Sequence, residues 1–120
     1  MVGIKTYTVP VTISRGDTSV TSSDVPVSGY LKGVSVTAGT MEDGSTFTVA
    51  ITDKNGMTVY SKASLTPGTT TTNWADLYGG TTAVHPLEVP MAGPVDVAIT
   101  ASKAQNNADV SCSVYLYYDN

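Results

Sequence analysis

The chain has 120 residues and a mass of 12.4 kDa, room for one domain that buries roughly two-thirds of its unfolded surface and for no second one. Its formal net charge is −4, and its six cations (Lys5, Arg15, Lys32, Lys54, Lys62 and Lys103) are scattered, so no basic patch meets a phosphate backbone and direct nucleic-acid binding is not expected. Thr and Ser fill about a quarter of the positions while charged residues fill 13%, a composition that suits strands with neutral, hydroxylated outer faces.

Four stretches alternate apolar and polar residues with period two: Tyr7, Val9, Val11 and Ile13; Phe47, Val49 and Ile51; Val95, Val97 and Ile99; Val110, Cys112, Val114 and Leu116. Each such face has to be covered by a second sheet. No basic start followed by an apolar run is present, and the longest apolar stretch is a few residues. The expectation is synthesis in the cytoplasm and no membrane span.

In chain order, the first strand is predicted over Lys5–Ser14, within an N-terminal arm of residues 1–14. Pro10 removes a ladder donor and assigns it to a sheet edge or a bulge, where an arm can pair with a neighbour. Arg15-Gly16-Asp17 comes next as a turn, with Gly16 at positive φ. The same tripeptide matches an integrin-binding signal, too short a match to outweigh the turn. A weak strand is expected over Thr18–Thr21 and another over Tyr30–Thr37, bracketed at its start by Gly29 and Gly33.

Met41-Glu42-Asp43-Gly44 reads as a charged turn into a strand over Thr46–Thr52, which returns over Met57–Ser61. Asn55-Gly56 between alternating runs is the strongest short hairpin signal in the chain. Phe47, Val49, Ile51, Met57 and Val59 are predicted to turn inward. From Pro67 to Pro94 alternation vanishes. This Pro/Gly-rich stretch holds the sole Trp and His and four of the six prolines, and it is read as a long interaction loop with a helical turn at Asn73–Leu77. Strands over Val95–Thr100 and Val110–Tyr118 close the chain. Leu116 and Tyr118 keep the inward parity, whereas Tyr115 and Tyr117 fall on the opposite face. About eight short strands with no long helical pattern predict an all-β, two-sheet antiparallel sandwich of jelly-roll type.

Chemistry-bearing constellations are sparse. Every nucleophilic triad would have to pass through His85, which precedes Pro86 in the loop, and no nucleophile elbow is spelled. Glu42 and Asp43 are adjacent and point apart on an extended chain, which makes them poor partners for glycoside hydrolysis; Asp76 and Glu88 would have to meet through folding. Asp53-Lys54-Asn55-Gly56 is no calcium loop and Gly79-Gly80 no phosphate loop. Cys112 is a lone cysteine on the core parity of its strand, expected to be inert. The expectation is therefore a non-enzyme with no catalytic residue, no cofactor and no metal. Trp74, Leu77, Tyr78, His85, Tyr115 and Tyr117 are the candidates for a protein interface. Trp74 and Tyr78 beside Asn73 and Asp76 also form a candidate sugar-stacking pair, and Trp74 plugging its own sandwich is the structural alternative.

The chain resembles, over its whole length, the small cement or decoration proteins of tailed bacteriophage capsids. The resemblance lies in Thr6-Tyr7-Thr8-Val9-Pro10-Val11, in Val27-Ser28-Gly29-Tyr30-Leu31, in the Asn55-Gly56 hairpin, and above all in the run from Pro86 to Val97 with the closing Val114-Tyr115-Leu116-Tyr117-Tyr118-Asp119. Such a resemblance implies a virion structural protein on the capsid exterior, a dimer or trimer with the major capsid protein as its partner, stabilising the shell. A carbohydrate-binding β-sandwich module and another tail or neck protein of a phage are the alternatives.

Overall fold

In a computed structural model, which describes residues 4–68, 70–74 and 89–120, the chain forms nine antiparallel strands: β1 (Lys5–Ile13), β2 (Ser19–Val25), β3 (Gly29–Ala38), β4 (Phe47–Thr52), β5 (Thr58–Leu65), β6 (Thr70–Trp74), β7 (Val89–Met91), β8 (Val95–Ala101) and β9 (Val110–Asp119). The first sheet has the order β1-β9-β3-β6, with β7 also paired to β3, and the second has the order β2-β8-β4-β5. The pairs β1 with β9, β2 with β8, β3 with β6 and β7, and β4 with β5 are those of one long hairpin wrapped into two sheets. That wrapping is the jelly roll.

The alternating runs explain why the sheets face each other. Val9 lies opposite Val114 and Val11 opposite Cys112, while Val49 lies opposite Ile99 and Ile51 opposite Val97. All eight are buried in one core with Phe47, Leu31, Val36 and Leu116. Each large aliphatic or aromatic side chain removed from water here contributes about 1.5–3 kcal/mol.

β1 is an edge strand, as Pro10 requires, and all its residues from Lys5 to Ile13 pair with β9, so this part of the N-terminal arm is committed to its own sheet. β2 continues past Thr21 to Val25, with a register shift between Ser22 and Val25 where Asp24 takes φ 58°.

The β4–β5 hairpin is present, but its turn differs from a two-residue one. Gly56 N–H donates to Asp53 O, Asp53 N–H to Met57 O, and Gly56 alone in the turn has positive φ, the pattern of a three-residue loop closed by a bulge. Met57, opposite Asp53 at the hairpin tip, is 68% exposed rather than turned inward, whereas Phe47, Val49, Ile51 and Val59 are buried as expected.

The stretch read as one loop between Pro67 and Pro94 contains two strands. β6 takes in Asn73 and Trp74 in extended form where a helical turn is expected from sequence; the remainder of that turn lies outside the described residues. β6 and β7 both run along the same edge of β3, Trp74 opposite Gly33 and Val89 opposite Leu31. They are two halves of one strand position, which reconciles nine strands with the eight positions of a jelly roll.

Candidate functional site

The split edge strand sets where the candidate residues lie. β6, described to Trp74, and β7, described from Val89, pair along the same edge of β3, and residues 75–88 connect them in sequence. Trp74 has its backbone in β6. Leu77, Tyr78 and His85, together with Asp76 and Glu88, lie outside the described residues.

Tyr115 and Tyr117 stand on the outer face of the first sheet, on its central strand β9. Both are half-buried, less open than their parity alone suggests. The register places Thr6, Tyr117, Gly33 and Trp74 in one row across four strands, and Thr8, Tyr115, Ser35 and Thr72 in the next. The two candidate groups, the aromatic C-terminal strand and the interrupted edge, therefore belong to one sheet, about 10 Å apart at the Tyr117 row. Sequence reading does not connect them, because the link runs through Gly33 of a third strand.

The opposite features gather at one end of the sandwich. Gly16, at φ 90°, donates its N–H to Gln105 O at 2.7 Å, and Gln105 N–H donates to Asp17 O at 3.0 Å. Arg15 Nε donates to Asn106 O at 3.1 Å and the Arg15 N–H to Asp109 Oδ1 at 2.7 Å. The Arg15-Gly16-Asp17 turn is thus strapped to the β8–β9 loop. Glu42 Oε2 accepts the Asn106 N–H at 2.7 Å, and the Asp43 main-chain carbonyl accepts from Lys103 Nζ.

Gln105, a residue without a sequence signal, is 1% exposed at the centre of this end. Its Oε1 accepts the Glu42 N–H at 2.9 Å, and its Nε2 donates to Ser45 Oγ at 3.1 Å and Lys103 O at 2.9 Å. A cleft of about 180 Å³ beside it is lined by Met41, Glu42, Ala108 and Val110 among others, but the amide of Gln105 is already fully engaged within the protein. The site chemistry here is structural.

At the other end, Asp53 Oδ1 accepts from the N–H groups of Asn55 at 2.9 Å and Met57 at 3.1 Å, while Lys54 N–H donates to Ala92 O at 3.0 Å. Burial pushes the Asp53 pKa upward, yet the N–H groups of Met57, Asn55 and Ala92 and the charge of Lys54 outweigh it and hold the carboxyl below its ordinary value. Cys112 is buried, and desolvation raises its thiol pKa against a smaller opposing hydrogen bond from the Gly39 backbone. Among the described residues, no three His, Cys, Asp or Glu side chains converge and no helix is long and apolar enough to cross a membrane.

No family model matches the chain, and no curated protein matches it. Solved structures with some similarity include T=1 particles derived from infectious bursal virus, at 18% identity and a TM-score of 0.46 over 97% of this chain and 32% of that one. The VP2 subviral particle of infectious bursal disease virus has 17% identity and a TM-score of 0.43, over 97% and 33%. The subunit of Bacillus endospore appendage pili has 10% identity and a TM-score of 0.39, over 98% of this chain and 91% of that one. The chain spans about a third of the length of the viral chains. At these scores the similarity carries no argument about function, and the jelly-roll assignment rests on strand order.

Proposed function

We propose that this chain is a non-enzymatic structural protein of a virus particle, a cement or decoration protein of a tailed-bacteriophage capsid that binds over the major capsid subunits on the shell exterior. One observation carries the reading: β6 and β7 share the edge position beside β3, so that residues 75–88, bearing Leu77, Tyr78 and His85, connect two strands that are each paired to the same sheet. A segment anchored at both ends loses less chain entropy on docking than a free tail, and one that includes Pro86 loses less still. A ligand that binds only the assembled shell stabilises it by mass action at every lattice site.

The test is co-sedimentation of the purified protein with expanded shells that lack it, with the thermal transition of the shells measured in parallel. Saturable binding with a raised transition temperature is expected. Replacing residues 75–88 by a short Gly/Ser link should abolish binding while β-sheet circular dichroism is retained. A protein that leaves shells unbound overturns the capsid role, and a loop-replaced variant that still binds overturns the choice of surface.

A second reading, a carbohydrate-binding module, is favoured by the row that puts Trp74 and Tyr117 on one sheet with only Gly33 between them. Glycan-array binding that Trp74→Ala removes would select it. Binding to tails or necks instead of shells would select a different virion position for the same structural role.

A further inference from the structure

We infer that Asn55 is a site of spontaneous covalent modification, losing its side-chain amide by cyclisation onto Gly56, and that Asp53 holds the reaction back for as long as the tip of the β4–β5 hairpin stays closed. The inference needs no partner and is independent of shell binding.

The residue types supply the reaction. Asn55 is the one asparagine of the chain that is followed by glycine. Once hydroxide has taken the proton of the Gly56 N–H, that nitrogen can attack Cγ of Asn55, and glycine has no side chain to obstruct the approach. The bond from Gly56 N to Asn55 Cγ forms, the bond from Cγ to Nδ2 breaks, and the amide nitrogen leaves as ammonia with a proton taken from water. A second water then opens the cyclic imide at either carbonyl and leaves an aspartyl or an isoaspartyl residue at position 55. Water enters, ammonia departs, and nothing is oxidised or reduced. Asn73, Asn106 and Asn107 are followed by Trp74, Asn107 and Ala108, each with a side chain in the way.

The fold supplies the restraint. Asn55 and Gly56 are exposed, and no atom lies within 4 Å of the place a Cβ of Gly56 would take, so water and hydroxide reach the tip freely. Solvent access is therefore not what limits the reaction. The attacking nitrogen is already engaged: Gly56 N–H donates to Asp53 O at 3.0 Å, which stabilises the proton it has to lose. Asp53 Oδ1 accepts the N–H of Asn55 at 2.9 Å and that of Met57 at 3.1 Å, so the main chain is clamped on both sides of the reacting pair. Asp53 N–H donates to Met57 O at 2.9 Å, and Lys54 N–H donates to Ala92 O at 3.0 Å, which pins the tip to the β7–β8 turn. Attack requires nitrogen and carbon to align at about 3–3.5 Å. Swinging the Gly56 nitrogen onto Cγ breaks its bond to Asp53 and disturbs the bond of Met57, so the reaction runs through an opened tip, at a rate scaled by the opening equilibrium.

The product does not restore the clamp. An isoaspartyl residue puts an extra methylene into the main chain, and the spacing that lets one carboxylate oxygen hold the N–H groups of residues 55 and 57 is lost. The new carboxylate also stands beside Asp53 in a chain whose net charge is already −4. Conversion is thus one-way and leaves the tip loosened from Ala92.

The experiment is peptide mapping by mass spectrometry of the full chain held in mildly alkaline buffer, folded in one arm and unfolded in urea in the other. Trypsin releases the stretch from Asn55 to Lys62, which contains no other asparagine and no glutamine, so exchange of amide nitrogen for oxygen in it reports this site alone. In urea Asn55 is expected to convert ahead of every other asparagine, and in the folded chain at least about tenfold more slowly. Asp53→Ala, shown to be folded by circular dichroism, should convert about fivefold or more faster than the native chain, while Asp53→Asn keeps an acceptor oxygen and should convert near the native rate. Equal rates in the folded and unfolded arms, another asparagine converting first in urea, or a folded Asp53→Ala no faster than the native chain overturns the inference. Should Asp53→Ala not fold, hydrogen exchange of the Gly56 and Met57 amides in the native chain decides instead: protection at least as large as the ratio of the two conversion rates supports the clamp, and unprotected amides overturn it.

Discussion

The backbone N–H of Glu42 donates to Oε1 of Gln105 at 2.9 Å, joining the β3–β4 turn to the β8–β9 loop through a side chain that solvent does not reach. The other half of the same amide holds Ser45 and Lys103, so one residue satisfies three polar groups on two loops. Replacing it leaves buried donors and acceptors unpaired, which costs more than the net worth of the bonds. Gln105→Ala should lower the unfolding free energy by about 2–4 kcal/mol, and Ser45→Ala by about 1 kcal/mol, as read from urea titrations with an unchanged m-value.

Asp53 makes the hairpin tip sensitive to acid. Its folded-state pKa lies below the ordinary value of 3.8, so between the two values the unfolded chain binds more protons and stability rises with pH. The contribution is fully present above about pH 4 and disappears as pH falls through the folded-state value. The expected outcome is that Asp53→Asn shows a shallower loss of stability than the native protein across this acidic window, measured by denaturant unfolding at stepped pH. Equal slopes would remove Asp53 from the account.

Two glycines test different physics. Gly16 has φ 90° with open space where a Cβ would stand, so Gly16→Ala meets only backbone strain and should cost about 1 kcal/mol. A Cβ on Gly93 would run into the Val27 carbonyl, which is main chain and cannot step aside as a side-chain tip does. Gly93→Ala should therefore be clearly the more destabilising of the two in thermal melts, although Gly93 lacks the positive φ.

Cys112 lies opposite Val11 and Ala38 in the central strand of the first sheet and is 3% exposed. Its raised pKa further reduces the thiolate fraction at neutral pH. A disulfide reagent should label it only at the rate of unfolding, and labelling should become fast in denaturant. Rapid labelling of the folded protein would contradict the buried placement.

The resolution of the sequence into strands was largely legible because the pleat has period two: Val9, Val11 and Ile13 announce one buried face whatever lies opposite. The same rule located Cys112 and put Tyr115 and Tyr117 on the outer face. It misplaced Met57, which stands opposite Asp53 at the tip of the β4–β5 hairpin and is 68% exposed, because alternation states which side a residue faces and not how far along the strand the core extends. β6 escaped notice because a run of threonines carries no alternation to read.

What the sequence determined by itself, then, was local: which residues extend, which side of each strand seeks the core, and where the central hairpin turns. The tertiary structure alone decided that β6 and β7 share one edge, that Trp74 and Tyr117 fall in one row, and that Gln105 ties an end of the sandwich together. Each of these depends on pairing between residues dozens of positions apart. Side-chain periodicity states that a face must be covered, and only the packed chain selects what covers it.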